Sequence, residues 1–316
     1  MNYPRMLRAL HTPAVIAIGL MAASIAHAQV AAPSLVPFTF VTENPAAMQW
    51  GAPSRVGLAY AQAQAVTDPK SLNDNFDGYL GGLRLVGSRF SFAGEGSHFE
   101  SSNKPYSVNE GEDTARGALA VRLGDIFSFG IGQQHSELKL WSPNLSNLLQ
   151  TTYDQTHGGF TFRFGEWFFL GAGGGQESVS GKNLTTTLGS FSTSRDVYKY
   201  GVGIRTGGTI LTHFEYYVVD KTKFANSTLN GGHETDRTAV AELNLGGFLL
   251  AYSTTHYEFD TSSADTDTAD IGYAPYTGLT IVLHGEVTKG KDPTATLYPS
   301  TTTTRTGLAI TYLFGG

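Results

Sequence analysis

The chain contains no cysteine. No disulfide framework and no thiol chemistry can therefore contribute to it. It also lacks a Gly-x-Ser-x-Gly elbow and a His-Glu-x-x-His step, two spacings that would place a nucleophile or a catalytic zinc. Past residue 28 no stretch approaches 18 consecutive apolar residues, which excludes a membrane-crossing helix. Charge is sparse at 15% of residues and tilts acidic, 27 Asp+Glu against 21 Lys+Arg. That balance argues against nucleic acid as a partner. Glycine and aromatics are plentiful instead, with 38 Gly, 19 Phe and 15 Tyr, a composition that favours strands and tight turns.

The first 28 residues read as a signal peptide. Arg5 and Arg8 make a positive start, Pro13 to Ser24 an apolar core too short to span a bilayer, and Ala26-His27-Ala28 an A-x-A cleavage site. Cleavage would leave 288 of the 316 residues and, with both arginines gone, move the formal net charge from −6 to −8.

The body alternates in short segments suited to tilted strands. Strands are expected at 54–66, 77–86, 89–100, 114–123, 126–140, 154–164, 167–180, 195–206, 209–222, 235–245, 248–260, 267–275, 278–290 and 303–314, fourteen in all. Tight turns fall at Gly87-Ser88, Gly124-Asp125, Gly165-Glu166, Gly207-Gly208, Gly246-Gly247 and Tyr276-Thr277-Gly278, each joining an even strand to the next odd one. The intervening connections are longer and polar: 67–76, 101–113, 141–153, 181–194, 223–234, 261–266 and 291–302. Strict short–long alternation predicts a transmembrane antiparallel up-and-down β-barrel, all-β, in the outer membrane of a diderm (Gram-negative) bacterium. In the sixth strand Phe160, Phe162 and Phe164 oppose Gly159, Thr161 and Arg163, so one face suits lipid and the other water. A β-propeller is the competing reading of the hairpin period, but its blades need four short strands per repeat.

Residues 29–53 do not alternate. They end in Glu43-Asn44-Pro45-Ala46-Ala47-Met48, then Trp50-Gly51. An Asn-Pro-Ala step just before the first strand, with fourteen strands after it, resembles the long-chain fatty-acid transporter family of outer membranes (the FadL/TodX type). The resemblance implies that 29–53 fold into the lumen as a hatch, that 54–316 form the barrel, and that the function is passive uptake of small hydrophobic or amphipathic compounds, fatty-acid-like or aromatic. A diffusion porin or a structural barrel is the alternative. It also implies a lateral exit at an inward kink of the third strand, where Gly94 and Gly96 stand. A barrel of this size is too wide for its own side chains to fill, so some plug, or water, must occupy it. Phe38 and Phe40 would line the route for an apolar tail.

Two constellations mark the inner face. Arg84, Arg122, Arg163 and Arg205 each precede a tight turn by two or three residues and predict a cationic arc at the periplasmic mouth. Such an arc either fixes the hatch through carboxylates such as Glu43 or meets an anionic headgroup, which Arg can hold bidentately. A His-x-Glu step recurs on five odd strands: His98/Glu100, His135/Glu137, His213/Glu215, His256/Glu258 and His284/Glu286. Residues i and i+2 share a face, and for the ninth and thirteenth strands the flanking pattern puts that face in the lumen. A hydrated, mutually paired polar wall is the expectation, with metal binding or proton coupling as the alternative. No enzyme activity, cofactor or metal is expected. The expected partners are a small hydrophobic ligand, outer-membrane lipid and the outer-membrane assembly machinery, and nothing requires more than a monomer.

Overall fold

The computed structural model describes Ala46 and residues 54–68, 72–103, 108–142, 145–165, 167–183, 190–206, 210–225, 232–260, 262–276, 278–292 and 300–314. The proposed signal segment and all of 29–53 except Ala46 lie outside the described residues. Fourteen antiparallel strands follow in order: β1 (Arg55–Asp68), β2 (Leu72–Val86), β3 (Phe90–Asn103), β4 (Val108–Leu123), β5 (Phe127–Ser142), β6 (Leu145–Phe164), β7 (Phe168–Asn183), β8 (Ser190–Arg205), β9 (Ile210–Lys221), β10 (Glu234–Leu245), β11 (Phe248–Phe259), β12 (Ser262–Tyr276), β13 (Leu279–Lys291) and β14 (Ser300–Phe314). Each pairs with its sequence neighbours, and β1 closes on β14 from Val56↔Phe314 to Asp68↔Thr302. The sheet therefore has no free edge, which satisfies the backbone of every strand inside a bilayer.

The described short turns lie where the glycines mark them, and Gly207-Gly208 lies outside the described residues. Gly124 (φ 73°) and the pair Gly246 (φ 55°) and Gly247 (φ 101°) adopt the left-handed backbone that a two- or three-residue hairpin needs. At the other end the sequence reading is corrected. Parts of the segments expected as long loops are strand: β5 runs to Ser142 and β6 starts at Leu145, inside the expected 141–153 connection, and β4 starts at Val108, inside 101–113. The connection between β9 and β10 stays long. Lipid-facing alternation stops where hydrocarbon stops, but the backbone still gains by pairing, so the strands continue past the end of the apolar pattern.

Side chains segregate by solvent. The outward face carries a continuous apolar belt, including Leu58, Leu119, Ile131, Phe160, Val202, Ile204, Leu250, Ile271, Leu283, Leu308 and Ile310, all exposed. Outward tyrosines Tyr60, Tyr79, Tyr198 and Tyr252 close the belt toward the long-connection end, and Trp167, Phe248 and Tyr273 ring the short-turn end, the placement of interfacial aromatic girdles. The inward face is polar and crowded: Arg84, Glu95, Ser128, Thr161, Glu242, Thr268, Asp270, Glu286 and Arg305 are all buried. Inside-out polarity of this kind suits a wall with lipid outside. No helix among the described residues is long and apolar enough to cross a membrane.

Candidate functional site

At the short-turn end, all four expected arginines share the inward face. Arg84 is fully buried and stands two positions along that face from Gly82, opposite exposed Leu85. Arg163 lies on the face of buried Thr161, and Arg205 on that of buried Lys199. Arg122 folds back on its own turn, donating from Nε to the Gly124 carbonyl (2.9 Å) and from a terminal nitrogen to Asp125 (2.7 Å). The four side chains thus share the inward face, and Arg122 is engaged by its own turn.

Beside this arc sits the described part of the Asn-Pro-Ala step. Ala46 is completely buried, and the Ser128 hydroxyl, at the inward start of β5, donates a 2.8 Å hydrogen bond to its carbonyl. Ser128 points into the lumen, so Ala46 is inside the barrel at the arginine end. Phe38, Phe40, Glu43, Asn44 and Pro45 lie outside the described residues.

The five His-x-Glu steps divide by face. Those on β3, β5 and β11 point outward, beyond the belt; those on β9 and β13 point into the lumen, as their alternation predicts. Each histidine also has an acid directly opposite it on the adjoining strand: His98 with Asp113, His135 with Asp154, His256 with Asp265, His284 with Asp270 and His213 with Glu242. The first four pairs close to 2.6–2.7 Å between Nδ1 and a carboxylate oxygen, and the last stands at 3.8 Å. Mutual pairing thus accounts for this motif. The cross-strand acids could not be assigned from the sequence, because they become neighbours only once the register is known.

Two further lumen features went unread. Near the long-connection end, Arg195 on β8 bridges Glu177 on β7 (2.7 Å) and Glu234 on β10 (2.6 Å), Lys221 on β9 adds a 2.7 Å contact to Glu234, and Phe224 covers the guanidinium with its ring centroid at 4.4 Å. Four strands are tied together by these buried charges. Second, inward threonines line up across six successive strands, Thr238, Thr255, Thr266, Thr288, Thr303 and Thr67, with hydroxyls bonded in alternate pairs at 2.9, 3.0 and 2.9 Å. A run of Thr is common in any β sequence, so only the shared level makes this one a band.

Gly94 and Gly96 face outward on β3, whose ladders to β2 and β4 run without a break from Phe90 to Asn103 on the β4 side. A Cβ on either would meet nothing closer than 3.6 Å, so neither glycine is demanded by the backbone. Gly96 lines a shallow notch in the outer wall together with Tyr79, His98, Ala115 and His135, while Gly94 stands between Leu83 and Gly117. Close backbone approach at glycine occurs on β7: a Cβ on Gly173 would lie 2.5 Å from the Gly158 carbonyl oxygen, and one on Gly175 would overlap the carbonyl of Thr156.

Strand number, closure, a buried Ala46 and a polar lumen together define the architecture to be compared. The structure superposes on the CymD monoaromatic hydrocarbon channel with a TM-score of 0.57, covering 89% of this chain and 94% of that one at 11% identity. The chain has the fold of the monoaromatic hydrocarbon channels. The P. putida toluene transporter TodX matches with a TM-score of 0.55 (8% identity, 88% of this chain and 94% of that one), and a Pseudomonas aeruginosa FadL homologue with 0.55 (11% identity, 89% and 96%). No protein-family model and no curated protein matches the sequence. The similarity to the FadL/TodX type read from the Asn-Pro-Ala step and the strand count therefore holds at the level of fold, across nearly the whole barrel.

Proposed function

We propose that this chain is an outer-membrane barrel of a Gram-negative bacterium for passive uptake of small hydrophobic or amphipathic compounds. The observation that carries the reading is the Ala46–Ser128 contact inside a closed fourteen-stranded barrel, in a fold shared with structures described as a monoaromatic hydrocarbon channel and a toluene transporter. A segment entering the lumen from the N-terminal side is what a hatch requires. The compound's own gradient would drive uptake, aided by burial of apolar surface at roughly 25 cal/mol per Å². No catalytic step is needed. In this reading Phe38 and Phe40 contact the apolar tail, Arg84, Arg163 and Arg205 meet an anionic headgroup, Arg122 assists once released from its turn, and the stretch of β3 at Gly94 and Gly96 is the weak point of the wall toward the bilayer.

A second reading, a diffusion porin, is favoured by the hydroxyl band and by the density of charge on the lumen wall. Two measurements on the purified full chain separate them. Uptake of labelled toluene or a long-chain fatty acid by proteoliposomes, together with low planar-bilayer conductance, supports the hatch-bearing transporter. A large steady current with no selective uptake would instead establish an open pore.

A further inference from the structure

The inward row that contains the β9 and β13 histidines has a symmetry that pairing alone does not explain. Following the register across five strands, it reads His213 (β9), Glu242 (β10), Ala251 (β11), Asp270 (β12) and His284 (β13). Each carboxylate meets its histidine on the side away from β11: Glu242 Oε2 lies 3.8 Å from His213 Nδ1, and Asp270 Oδ1 lies 2.7 Å from His284 Nδ1. The other oxygen of each, Glu242 Oε1 and Asp270 Oδ2, is buried and has no hydrogen-bond partner, and neither does His284 Nε2. The carboxyl side chains are 1% and 2% exposed. Between the two carboxyl-bearing strands stands the small, buried side chain of Ala251. Two strand spacings separate the backbones, roughly 9–10 Å, so two carboxylates reaching inward from either side can share a group held between them.

Local charge states what that group must be. The inward acids of this row and the next are Glu215, Glu242, Asp270 and Glu286, while the inward arginines are Arg205 and Arg305, the latter engaged by Glu286 at 3.2 Å. Four carboxylates against two arginines leave the patch with two negative charges in excess before any histidine proton is counted, and His213, held between Glu215 at 3.3 Å and Glu242 at 3.8 Å, can carry one of the balancing charges. A buried carboxylate oxygen without a donor or a counter-ion is costly. Neighbouring oxygen donors of the same inward face are neutral, the hydroxyls of Ser253 and Thr268, and the row below holds the amide of Asn244 beside Leu249, which packs on Val282. All-oxygen surroundings with two carboxylates suit a hard cation.

The geometry points to a divalent-cation site in the lumen wall, centred over Ala251, with Glu242 and Asp270 as its charged ligands and Ser253 and Thr268 as neutral oxygens nearby. Among the described residues no three His, Asp or Glu side chains converge closely enough to enclose a bare ion, so the cation keeps part of its water, as Mg²⁺ held by one or two carboxylates does. His213 and His284 are positioning residues that fix the carboxylates from behind, in the manner of a second ligand shell. Bound there, the ion would cross-link β10 and β12 over β11. The site is independent of the uptake reading.

The test uses the full chain, purified in detergent and stripped with chelator, at pH 8 and low salt. Titration calorimetry with CaCl₂ and separately with MgCl₂ should show one saturable site per chain, with a dissociation constant in the class of roughly 10⁻⁴–10⁻³ M expected for few charged ligands. Glu242→Gln and Asp270→Asn should each weaken it at least tenfold, and His284→Ala by about 10–100-fold. Ala251→Lys, which supplies its own cation between the two acids, should abolish binding while the barrel still migrates as a folded, heat-modifiable species; it serves where a carboxylate variant fails to assemble. Absence of saturable binding of either ion to the native chain, or binding that survives in Ala251→Lys, overturns the site. An unfolding temperature that changes with pH but not with either cation also overturns it, and assigns the space to a shared proton.

Discussion

Ser128 donates its hydroxyl to the carbonyl of Ala46, a residue 82 positions earlier in the chain, and both are fully buried at the arginine end of the lumen. The bond ties the Asn-Pro-Ala step to the wall. Replacing Ser128 with Ala removes this buried hydrogen bond, at a cost of about 0.5–1.5 kcal/mol. The expected outcome is a hatch that opens more often, read as more frequent openings in single-channel records. Deleting residues 29–42 should raise mean conductance further, and a deletion whose conductance matches the native protein would sink the plug.

The network of Arg195, Glu177, Glu234 and Lys221 holds β7 to β10 together, so its members are not interchangeable with neutral residues one at a time. Glu234→Gln leaves two buried cations with one carboxylate between them, and breaking a buried pair in this way costs about 3–5 kcal/mol. Urea unfolding from lipid vesicles should show the loss. Removing Arg195 and Glu234 together should cost much less than the two single changes added, and a double-mutant cycle with no coupling would contradict the geometry.

The glycines of β7 and β3 should behave oppositely. Gly175→Val forces a side chain into the Thr156 backbone and is expected to abolish assembly, seen as loss of the heat-modifiable band on gels. Gly94→Val and Gly96→Val have ordinary room on the outer face and should fold. Because folding is spared, uptake by these two variants isolates the lateral exit: reduced uptake of a hydrophobic probe supports it, and normal uptake with both replaced removes it.

Depth in the bilayer can be read from single arginines on β14. Ile310 is outward within the apolar belt, and Thr304 is outward on the same strand past its end. Ile310→Arg should destabilise folding into lipid by about 2–4 kcal/mol, while Thr304→Arg should cost no more than about 1 kcal/mol. Equal penalties at the two positions would place the membrane elsewhere on the barrel.

The amino-acid order by itself determined the strand number, the short turns, the lipid-facing side of each strand and the inward aim of Arg84, Arg122, Arg163 and Arg205. These are local properties: glycine at a hairpin and a period of two along a strand are written within a few residues of one another. The closed sheet decided everything that depends on register. Only pairing across strands could show that every His-x-Glu histidine faces an acid, that six threonines share one level, that Arg195 reaches Glu234, and that Glu242 and Asp270 flank Ala251. Pairing also decided where the strands end, because backbone hydrogen bonding continues after the alternation that reports lipid has stopped. Position along a strand is set by nearby residues, but who stands beside whom around a barrel is set by its stagger, and that emerges only when the last strand meets the first.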